Sequence, residues 1–554
     1  MRSCGEDDVS VDARETQPFP SGAWWAPDDL PVREGCRVEP FVDGHRAMLS
    51  MCRAFLSARH YILLAGWDIH VELPLVRGDD LLFPGGAPGE DDGDDALDAY
   101  ALALWKARRL RVVDVLGFAA QRGVRVGVLL WDAYHMGSHL TNDPAQQQRA
   151  LRAAGVECLL DDSSRRITHL TQSLHQKCAV VDGRVAFVGG IDLTVQAEGD
   201  YDRWDTHQHL CASPIRATTR RPAAHPWHDV HCRAEGAVVG DVLRNVAERW
   251  NEVAARHGVA AWPAGMASAA PASAGSATAQ VIRTIPPHTY AFAPAGIATI
   301  KEAYLRALRQ AQRFVYIENQ YLWTEQFLGL DSLRWGEPSQ DMREVMEALA
   351  AAVDRGAQVA ITLPDHPNVG RRFTDGGVEW LRARAATGGA AARLHVFTLG
   401  NAEDDASLPG GIFYRPVYIH AKVAIVDDVW WTAGSANLNS RGMRTDAEIN
   451  LSVADAASAR GLRALLWTEH LGRAADDVQG LEDPVAGLAR LWELADANRE
   501  RVRGRQPLVG HILPYLTAAD GARLQLPVHD EHGWLDNLEG GSGALARHHA
   551  GRYL

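Results

Sequence analysis

Two stretches of the chain, LHQKCAVVDGRVAFVGGIDLT at 174–194 and IHAKVAIVDDVWWTAGSANLN at 419–439, carry the same pattern. Each contains a histidine, a lysine two residues later and an aspartate five residues after the lysine: His175, Lys177, Asp182 and His420, Lys422, Asp427. Chance predicts only about 0.2 His-x-Lys pairs in a chain of this composition, so two copies with aspartate at one offset are a strong motif. Only four residues of the chain are lysines, and two of them lie in these motifs.

The residues that follow each lysine predict a β-hairpin. An apolar run leads to Asp182-Gly183 in the first copy and to Asp427-Asp428 in the second, and another apolar run follows each. Because residues i and i+2 of a strand point to the same face, each unit should present an imidazole and an ammonium group side by side.

The repetition extends beyond the motifs. GVRVGVLLWDA at 123–133 parallels GAQVAITLPDH at 356–366, and HYILLAGWDIH at 60–70 parallels RFVYIENQYLW at 313–323. A helical pattern follows each motif, and amphipathic stretches alternate with apolar strands. We therefore predict an α/β protein with a largely parallel sheet in each of two tandem copies of one fold.

Composition divides the chain into five predicted segments. They are an N-terminal arm, a first domain, an Ala/Ser/Gly/Pro linker, a second domain and a C-terminal extension, at residues 1–37, 38–260, 261–280, 281–475 and 476–554. The acidic stretch at 89–95 is interpreted as a solvated insertion.

The overall composition narrows the protein class. With 46% hydrophobic and 23% charged residues among 554, the chain is typical of a globular protein, and no apolar run reaches the length of a membrane span. The polar N-terminus and seven cysteines predict a cytoplasmic protein with reduced thiols, with peripheral membrane contact or signal-independent secretion as alternatives. A net charge of −14 argues against a general nucleic-acid binder.

Two His-Lys pairs that converge in one cleft have the chemistry for phosphodiester cleavage. One neutral imidazole can attack phosphorus, and the other can protonate the leaving oxygen. The lysines, with Asn437 as a neutral donor, would bind the phosphate, so neither metal nor cofactor is expected. Each histidine needs a carboxylate on its other nitrogen. Asp205 in the first half and Glu448, rather than Asp446, in the second are the predicted partners.

A histidine-rich segment offers a second interpretation. His225, His228 and His231, with His207 and His209 nearby, raise the question of a metal site. Their spacing fits neither one helix face nor a known zinc motif, so we predict none.

The paired motifs, together with GGIDL, DRWDTH, HPWHDVH, YIENQY, GSANLNSRG and LWTEHLG, resemble the phospholipase D superfamily over most of residues 40–475. The resemblance implies two α/β sandwich domains about a pseudo-twofold axis, with the active site at their interface. It implies His175 as nucleophile, forming a phosphohistidine, and His420 as general acid and base. It assigns phosphate contacts to Lys177, Lys422 and Asn437.

The resemblance also implies supporting roles. Asp182 and Asp427 would be structural, whereas Trp227 and His228 would line the substrate pocket. Ser435 and Asp192 lie in equivalent segments after the hairpins and are further substrate-binding candidates. Asp192 stands where the symmetric pattern has Asn437, and a carboxylate there would repel phosphate unless it is protonated or turned toward a cation.

The function predicted on this basis is a phospholipase D that converts a glycerophospholipid at a membrane surface to phosphatidate, with transfer to alcohols as a further capacity. Alternatives are a phosphatidyl transferase of the cardiolipin-synthase kind, a nucleic-acid phosphodiesterase, a lipase effector and a catalytically silent lipid-binding scaffold. Because a two-copy chain can build the whole site alone, a monomer is expected.

Overall fold

The computed structural model describes residues 22–83, 96–133, 142–165, 172–195, 202–210, 213, 215–216, 226–263, 273–326, 336–367, 370–406, 410–528 and 533–538. The acidic stretch at 89–95 and His225 lie outside the described residues.

The first half contains eight strands and five helices among the described residues. The strands are β1 (Val32–Val42), β2 (Tyr61–Gly66), β3 (Arg125–Trp131), β4 (Glu157–Asp161), β5 (Lys177–Val181), β6 (Val185–Gly189), β7 (Trp227–His228) and β8 (Val230–Glu235). The helices are α1 (Gly44–Ser57), α2 (Ala99–Lys106), α3 (Val112–Gln121), α4 (Pro144–Ala153) and α5 (Val238–His257).

The second half and the C-terminal region supply the remaining elements. The strands are β9 (Ala277–Ile285), β10 (Ile297–Ala298), β11 (Phe314–Asn319), β12 (Gln358–Thr362), β13 (Leu394–Asp404), β14 (Ile412–Pro416), β15 (Tyr418–Ile419), β16 (Lys422–Val426), β17 (Trp430–Gly434), β18 (Glu448–Ala454) and β19 (Ile512–Pro514). The helices are α6 (Thr299–Gln310), α7 (Gln340–Arg355), α8 (Arg371–Thr387), α9 (Ala456–His470), α10 (Pro484–Arg503), α11 (Ala518–Leu524) and α12 (Leu535–Leu538).

Both halves build the same mixed sheet. In the first, β2, β3 and β4 are parallel, β5 runs antiparallel to β2, and the β5–β6 hairpin continues to β8. In the second, β11, β12 and β13 are parallel, β16 is antiparallel to β11, and the β16–β17 hairpin continues to β18. The predicted α/β class and tandem repetition are therefore confirmed, whereas the prediction of a largely parallel sheet was wrong, because the hairpin after each motif adds antiparallel strands.

A single long strand connects the two sheets. β1 pairs with β8 over one part of its length and with β9 over another, and β9 in turn pairs with β18. One hydrophobic cluster accordingly runs through both halves and includes Val180, Trp250, Val423 and Trp431. Because buried strands of both halves share this core, the two copies pack directly against each other.

The chain segments outside the two copies are part of the fold. The last residues of the predicted arm form the start of β1, and the last residues of the predicted linker form the start of β9. Trp24 stacks on Trp430 of the second half at a ring distance of 6.4 Å. In the C-terminal region, β19 adds to the second sheet alongside β13, so this region extends the second half.

Two further predictions from the sequence concern the cysteines and the possibility of membrane-spanning helices. Five cysteines of the described part of the chain are free and buried, namely Cys36, Cys52, Cys158, Cys178 and Cys232. Among the described residues, no helix combines the length and the hydropathy needed to cross a bilayer.

Candidate active site

The site is built where each half pairs with the other through a short parallel bridge. Leu174, just before the first motif, bridges to Ala447, and the β15 segment before the second motif pairs with β7. Backbone bonds continue this pairing, since the His175 N–H donates to the Ala447 carbonyl and the His420 N–H to the His228 carbonyl. Each motif histidine therefore lies beside the start of a strand from the other half. His175 lies beside the start of β18, and His420 lies beside the start of β8.

The first motif histidine takes its carboxylate from the second half. His175 Nδ1 lies 3.0 Å from Glu448 Oε1 and 3.1 Å from Oε2. Ser435 Oγ donates to Glu448 Oε2 at 2.5 Å and accepts from the Ile449 N–H. Ser435 therefore helps to fix the position of the carboxylate. This contact leaves Nε2 as the ring nitrogen available for chemistry, and the side chain retains 15% of its exposure.

The second motif histidine takes its carboxylate from the first half. His420 Nδ1 lies 2.7 Å from Asp229 Oδ2, and the side chain is 9% exposed. Asp229 was missed by the sequence argument, although it directly precedes β8 just as Glu448 begins β18. Aligning the two copies as far as HDVH and AEIN would have placed these two carboxylates opposite each other.

The sequence prediction for the first-half carboxylate was therefore wrong. Asp205 accepts hydrogen bonds from Arg216 Nη2 and the Trp227 N–H and lies 3.3 Å from His209 Nδ1. None of these contacts involves His175 or His420. Asp229 is instead the first-half carboxylate that contacts a motif histidine. Local proximity in sequence failed here because the histidine partners cross between the halves.

The two lysines are buried and held by matching contacts. Lys177 Nζ donates to the His175 carbonyl at 2.8 Å, and Lys422 Nζ donates to the His420 carbonyl. Lys177 also pairs with Asp192 Oδ2 at 3.2 Å, whereas Lys422 contacts Gln320 Oε1 at 3.1 Å. Each ammonium group is thus fixed beside its own histidine, as the i, i+2 spacing predicted.

Asp192 and Asn437, which stand at equivalent positions in the two copies, have different surroundings. The Asp192 carboxylate is turned toward Lys177, and burial raises its pKa above the ordinary value while Lys177 opposes that rise. Asn437 Oδ1 is buried and has no hydrogen-bond partner among the described residues. Asn437 therefore retains polar capacity for a ligand, whereas Asp192 is engaged with the lysine.

Burial and clustered cations set the electrostatics of the site. Burial is the main cause that lowers the pKa of His175 and of His420 well below the ordinary imidazole value, and Lys177 and Lys422 each add to both shifts. Burial likewise lowers the pKa of Lys422 to about 7. Both imidazoles feel the lysine of the other half, so the two motifs form one electrostatic unit that favours an anion.

Two predicted substrate contacts are occupied within the protein. The Ser435 hydroxyl is fully buried and spent on Glu448, and the His228 side chain is fully buried at 2.7 Å from both Glu318 and Glu469. Both groups are thus engaged with other side chains of the described part of the chain, and their assignment to the substrate pocket stays a prediction. Burial of a polar group against partners within the protein is typical of a supporting role.

Trp227 packs against the second motif histidine. The centroid of the Trp227 ring lies 4.9 Å from that of His420 and 4.7 Å from that of Tyr418. Trp227 is only 1% exposed. The guanidinium carbon of Arg203 lies 4.4 Å from the Trp227 ring centroid, and Arg203 contributes to the low pKa of His420. Arg203 is a further cation of the site that sequence reasoning missed.

A buried cluster of imidazoles and carboxylates lies behind Asp229. Asp43, His209, His228 and Glu469 each place one possible ligand atom within 4.8 Å of the others, and His228, Glu318 and His470 do the same. Such donor sets fit divalent metal ions. The prediction of no ligand set relied on spacing within one segment, whereas these residues come from several segments of both halves.

Protons balance the charge of this cluster. Asp43 and Glu469 are the main causes that raise the pKa of His209 to about 10 against the opposing effect of burial. The pKa of His228 is also raised, so His209 and His228 are cationic beside the carboxylates of the other half and hold the halves together by charge-assisted hydrogen bonds.

The motif aspartates lie at the far ends of the hairpins. Asp182 accepts three backbone N–H bonds at 2.8 Å, from Arg59, His60 and Tyr61. Asp427 accepts the equivalent three from Gln312, Arg313 and Phe314 at 2.8 Å. These bonds tie each hairpin turn to the start of the neighbouring strand.

Comparisons with known proteins can now be set beside this geometry. A family model described as Phospholipase D matches residues 105–348, which contain the first motif. A model described as Cardiolipin synthase, PLD-like domain matches residues 304–468, which contain the second motif. The two matches together therefore cover both His-Lys pairs.

Curated relatives cover most of the chain. Phospholipase D alpha 1 of Oryza sativa subsp. japonica is 26% identical over 623 residues, covering 90% of this chain and 72% of the relative. Phospholipase D alpha 1 of Carica papaya is 27% identical over 626 residues, covering 90% and 72%. The crystal structure of phosphatidylserine synthase from Haemophilus influenzae Rd KW20 aligns with a TM-score of 0.47 at 13% identity, covering 84% of this chain and 94% of that one. The protein with its two crossed His-Lys pairs belongs to the phospholipase D superfamily.

Proposed function

We propose that this protein is a phospholipase D that cleaves the phosphodiester of a glycerophospholipid through a covalent phosphohistidine. The observation that carries the proposal is the crossed pairing, in which Glu448 of the second half holds His175 and Asp229 of the first half holds His420. Among the described residues, each motif histidine takes its carboxylate from the other half, and one phosphate site at the interface explains this arrangement.

The first step uses the neutral form of His175. Its lowered pKa keeps Nε2 unprotonated, and the Glu448 contact on Nδ1 orients the ring toward attack. An Nε2–P bond forms while the bond from phosphorus to the headgroup oxygen breaks, and His420 gives its proton to that oxygen. Lys177, Lys422 and Asn437 would bind the nonbridging oxygens as charge develops.

Substrate charge prepares His420 for this role. Cations and burial lower the pKa of His420 in the free protein, but a bound phosphodiester anion offsets those cations and favours the imidazolium. In the second step, the neutral His420 takes a proton from water, the water oxygen attacks phosphorus, and the P–N bond breaks. Phosphatidate leaves and both imidazoles regain their starting state.

The test uses the full chain with His175→Ala and His420→Ala, and with His257→Ala as a matched control because His257 is an exposed histidine near the end of α5. Release of headgroup and phosphatidate from phosphatidylcholine or phosphatidylglycerol vesicles should fall at least 1,000-fold in the first two variants and stay unchanged in the third. The estimate follows from loss of the nucleophile or the general acid. Wild-type turnover by either site variant would contradict the proposal.

Trapping gives a second readout. His420→Ala cannot activate water, so a diester with a nitrophenol leaving group, which needs no protonation, should accumulate an acid-labile phosphoryl adduct on His175. Mass spectrometry of a quenched sample would locate the adduct. A plasmid-cleavage assay run in parallel tests the nucleic-acid alternative, and cleavage of plasmid but not of vesicles would overturn the lipid assignment.

Phosphatidyl transfer is a second candidate, favoured by the cardiolipin-synthase description of the model that matches residues 304–468. A phosphohistidine partitions between water and an alcohol acceptor by the same proton transfer through His420. Vesicle assays with added glycerol would show the ratio of transfer product to phosphatidate.

A further inference from the structure

A large cavity lies between the two halves, apart from the His-Lys pairs. Its volume is about 670 Å³, within the usual range for ligand pockets. The first half lines it with β1, the start of α1 and part of β8, and the second half with the end of α9 and the residues that follow. None of His175, Lys177, His420 and Lys422 lines this cavity.

Five arginines and five carboxylates line the cavity. The arginines are Arg37, Arg46, Arg53, Arg233 and Arg473. Arg46 is exposed and has no ion-pair partner among the described residues, and Arg473 is held only by backbone contact to the Gln479 carbonyl. Arg53 is buried and donates to the Phe83 carbonyl. Arg46 and Arg473 therefore have donor capacity directed to a space between the halves.

The carboxylates that line the same cavity are already engaged. Glu39 and Glu235 face Arg37 and Arg233, and Asp80 contacts His45. The two remaining carboxylates pair with buried side chains. Asp205 pairs with Arg216, and Glu469 pairs with His209 and His228. Among the described residues, none of these carboxylates forms an ion pair with Arg46 or Arg473, so both guanidinium groups can pair with an anion.

Apolar side chains cover the rest of the wall. Phe41 and Leu49 of the first half and Leu465 of the second lie beside the arginines. A ligand that joins an anionic group to an apolar or polyol part would satisfy both kinds of surface, because guanidinium groups bind phosphate in a bidentate way while the apolar wall excludes water.

We propose that this interdomain cavity is a second anion site, which binds a phosphate monoester through Arg46 and Arg473. The charge of a monoester at neutral pH, about −1.5 to −2, matches the two guanidinium groups of Arg46 and Arg473 better than the single charge of a diester does. The monoester can come from an anionic lipid headgroup, such as the phosphatidate formed in the proposed reaction, or from a soluble phosphate ester. Binding at this site does not depend on diester cleavage.

The experiment measures binding by the full-length protein in which Lys177→Met and Lys422→Met remove the phosphate contacts of the proposed active site. Inorganic phosphate, glycerol 3-phosphate and monomeric dihexanoyl phosphatidate are titrated by calorimetry. Saturable binding of at least one phosphate monoester is expected. Arg46→Glu combined with Arg473→Glu should weaken it at least tenfold, whereas Arg149→Glu should not, because Arg149 is an exposed arginine of α4 outside the cavity.

The three ligands distinguish the sources. Binding of dihexanoyl phosphatidate alone assigns the site to a lipid headgroup, and equal binding of glycerol 3-phosphate assigns it to a soluble ester. The proposal is overturned if none of the three binds, if the Arg46/Arg473 variant binds as tightly as its parent, or if succinate binds as tightly as the phosphates. Circular dichroism of each variant verifies that the fold is retained, and failure of vesicle cleavage would leave these binding results unaffected.

Discussion

At the scale of single residues, the crossed carboxylates decide which groups control the two histidines. His420 and Asp229 are 191 positions apart, and His175 and Glu448 are 273 apart. Burial raises the pKa of Asp229 and Glu448 and lowers that of His175 and His420. In the free protein, these shifts favour a protonated carboxylic acid and a neutral imidazole in each pair. An anionic substrate is then needed to stabilise the imidazolium of His420.

Substitution of Asp229 tests this arrangement. We expect Asp229→Asn to lower kcat by about 100-fold or more for a lipid with an alkoxide leaving group, since an amide stabilises an imidazolium poorly and permits the wrong tautomer. The loss should shrink with a nitrophenyl diester, whose leaving group needs no proton. Steady-state rates with the two substrates provide the measurement.

Asp205→Asn is the matched comparison, because Asp205 is an equally buried aspartate that contacts His209 and Arg216. It should change stability while leaving the ratio of the two substrate rates as in the wild type. An equal change of that ratio in both variants would show that Asp229 has no specific role in proton transfer.

At the scale of elements, each hairpin depends on its aspartate turn. Asp182 and Asp427 have positive φ angles of 53° and 54°, in the left-handed region that aspartate tolerates better than most residues. Their carboxylates meanwhile collect three N–H groups from the start of β2 and of β11. The motif aspartate thus fixes the hairpin against the parallel strands, far from the phosphate chemistry.

Asp182→Ala is expected to destabilise the protein by about 2–4 kcal/mol, because three N–H groups lose a charged acceptor and alanine is placed at positive φ. Asp182→Asn should cost less, since the amide oxygen keeps one acceptor and asparagine tolerates this backbone. Thermal unfolding midpoints should therefore fall in the order wild type, Asn, Ala. Turnover per folded molecule should stay near wild type, and a 100-fold loss in folded Asp182→Asn would refute the structural role.

At the scale of the whole molecule, the two halves are joined by β1, by the crossed histidine pairs and by the buried imidazole–carboxylate cluster. The cluster unites Asp43, His209 and His228 of the first half with Glu318 and Glu469 of the second. The pKa of His209 is raised to about 10, and burial is the main cause that raises the pKa of Asp43 to about 7. Both groups hold protons more tightly in the folded protein than in the unfolded chain.

This predicts a loss of stability as the pH rises. For His209, the stabilisation is complete below the unfolded pKa of about 6.5 and declines as the pH approaches the folded value of about 10. Thermal unfolding midpoints measured with EDTA should therefore fall between pH 6.5 and 9.

Lys422 acts in the opposite direction, because its folded pKa of about 7 lies below its unfolded value. Lys422→Met should therefore steepen the decline between pH 6.5 and 9. A midpoint that is constant or rises over this range in Lys422→Met would contradict the charge assignment of the cluster.

Much of the fold and part of the site follow from the sequence by itself. The repeated His-x-Lys motif, the hairpin after each lysine and the strand pairs at 60–70 and 313–323 are local patterns, and local hydrophobic alternation is sufficient to predict them. The neighbouring positions of His175 and Lys177, and of His420 and Lys422, depend only on two-residue spacing. These features required no knowledge of how distant segments meet.

Only the tertiary structure decided which carboxylate serves which histidine. Asp229 reaches His420, and Glu448 reaches His175, because short parallel bridges join the two halves across a pseudo-twofold axis. The same crossing gathered the buried His and Glu cluster and opened the arginine-lined cavity from residues of both halves. Pairing between segments more than 150 residues apart is set by packing of the shared core, which leaves no mark in local spacing.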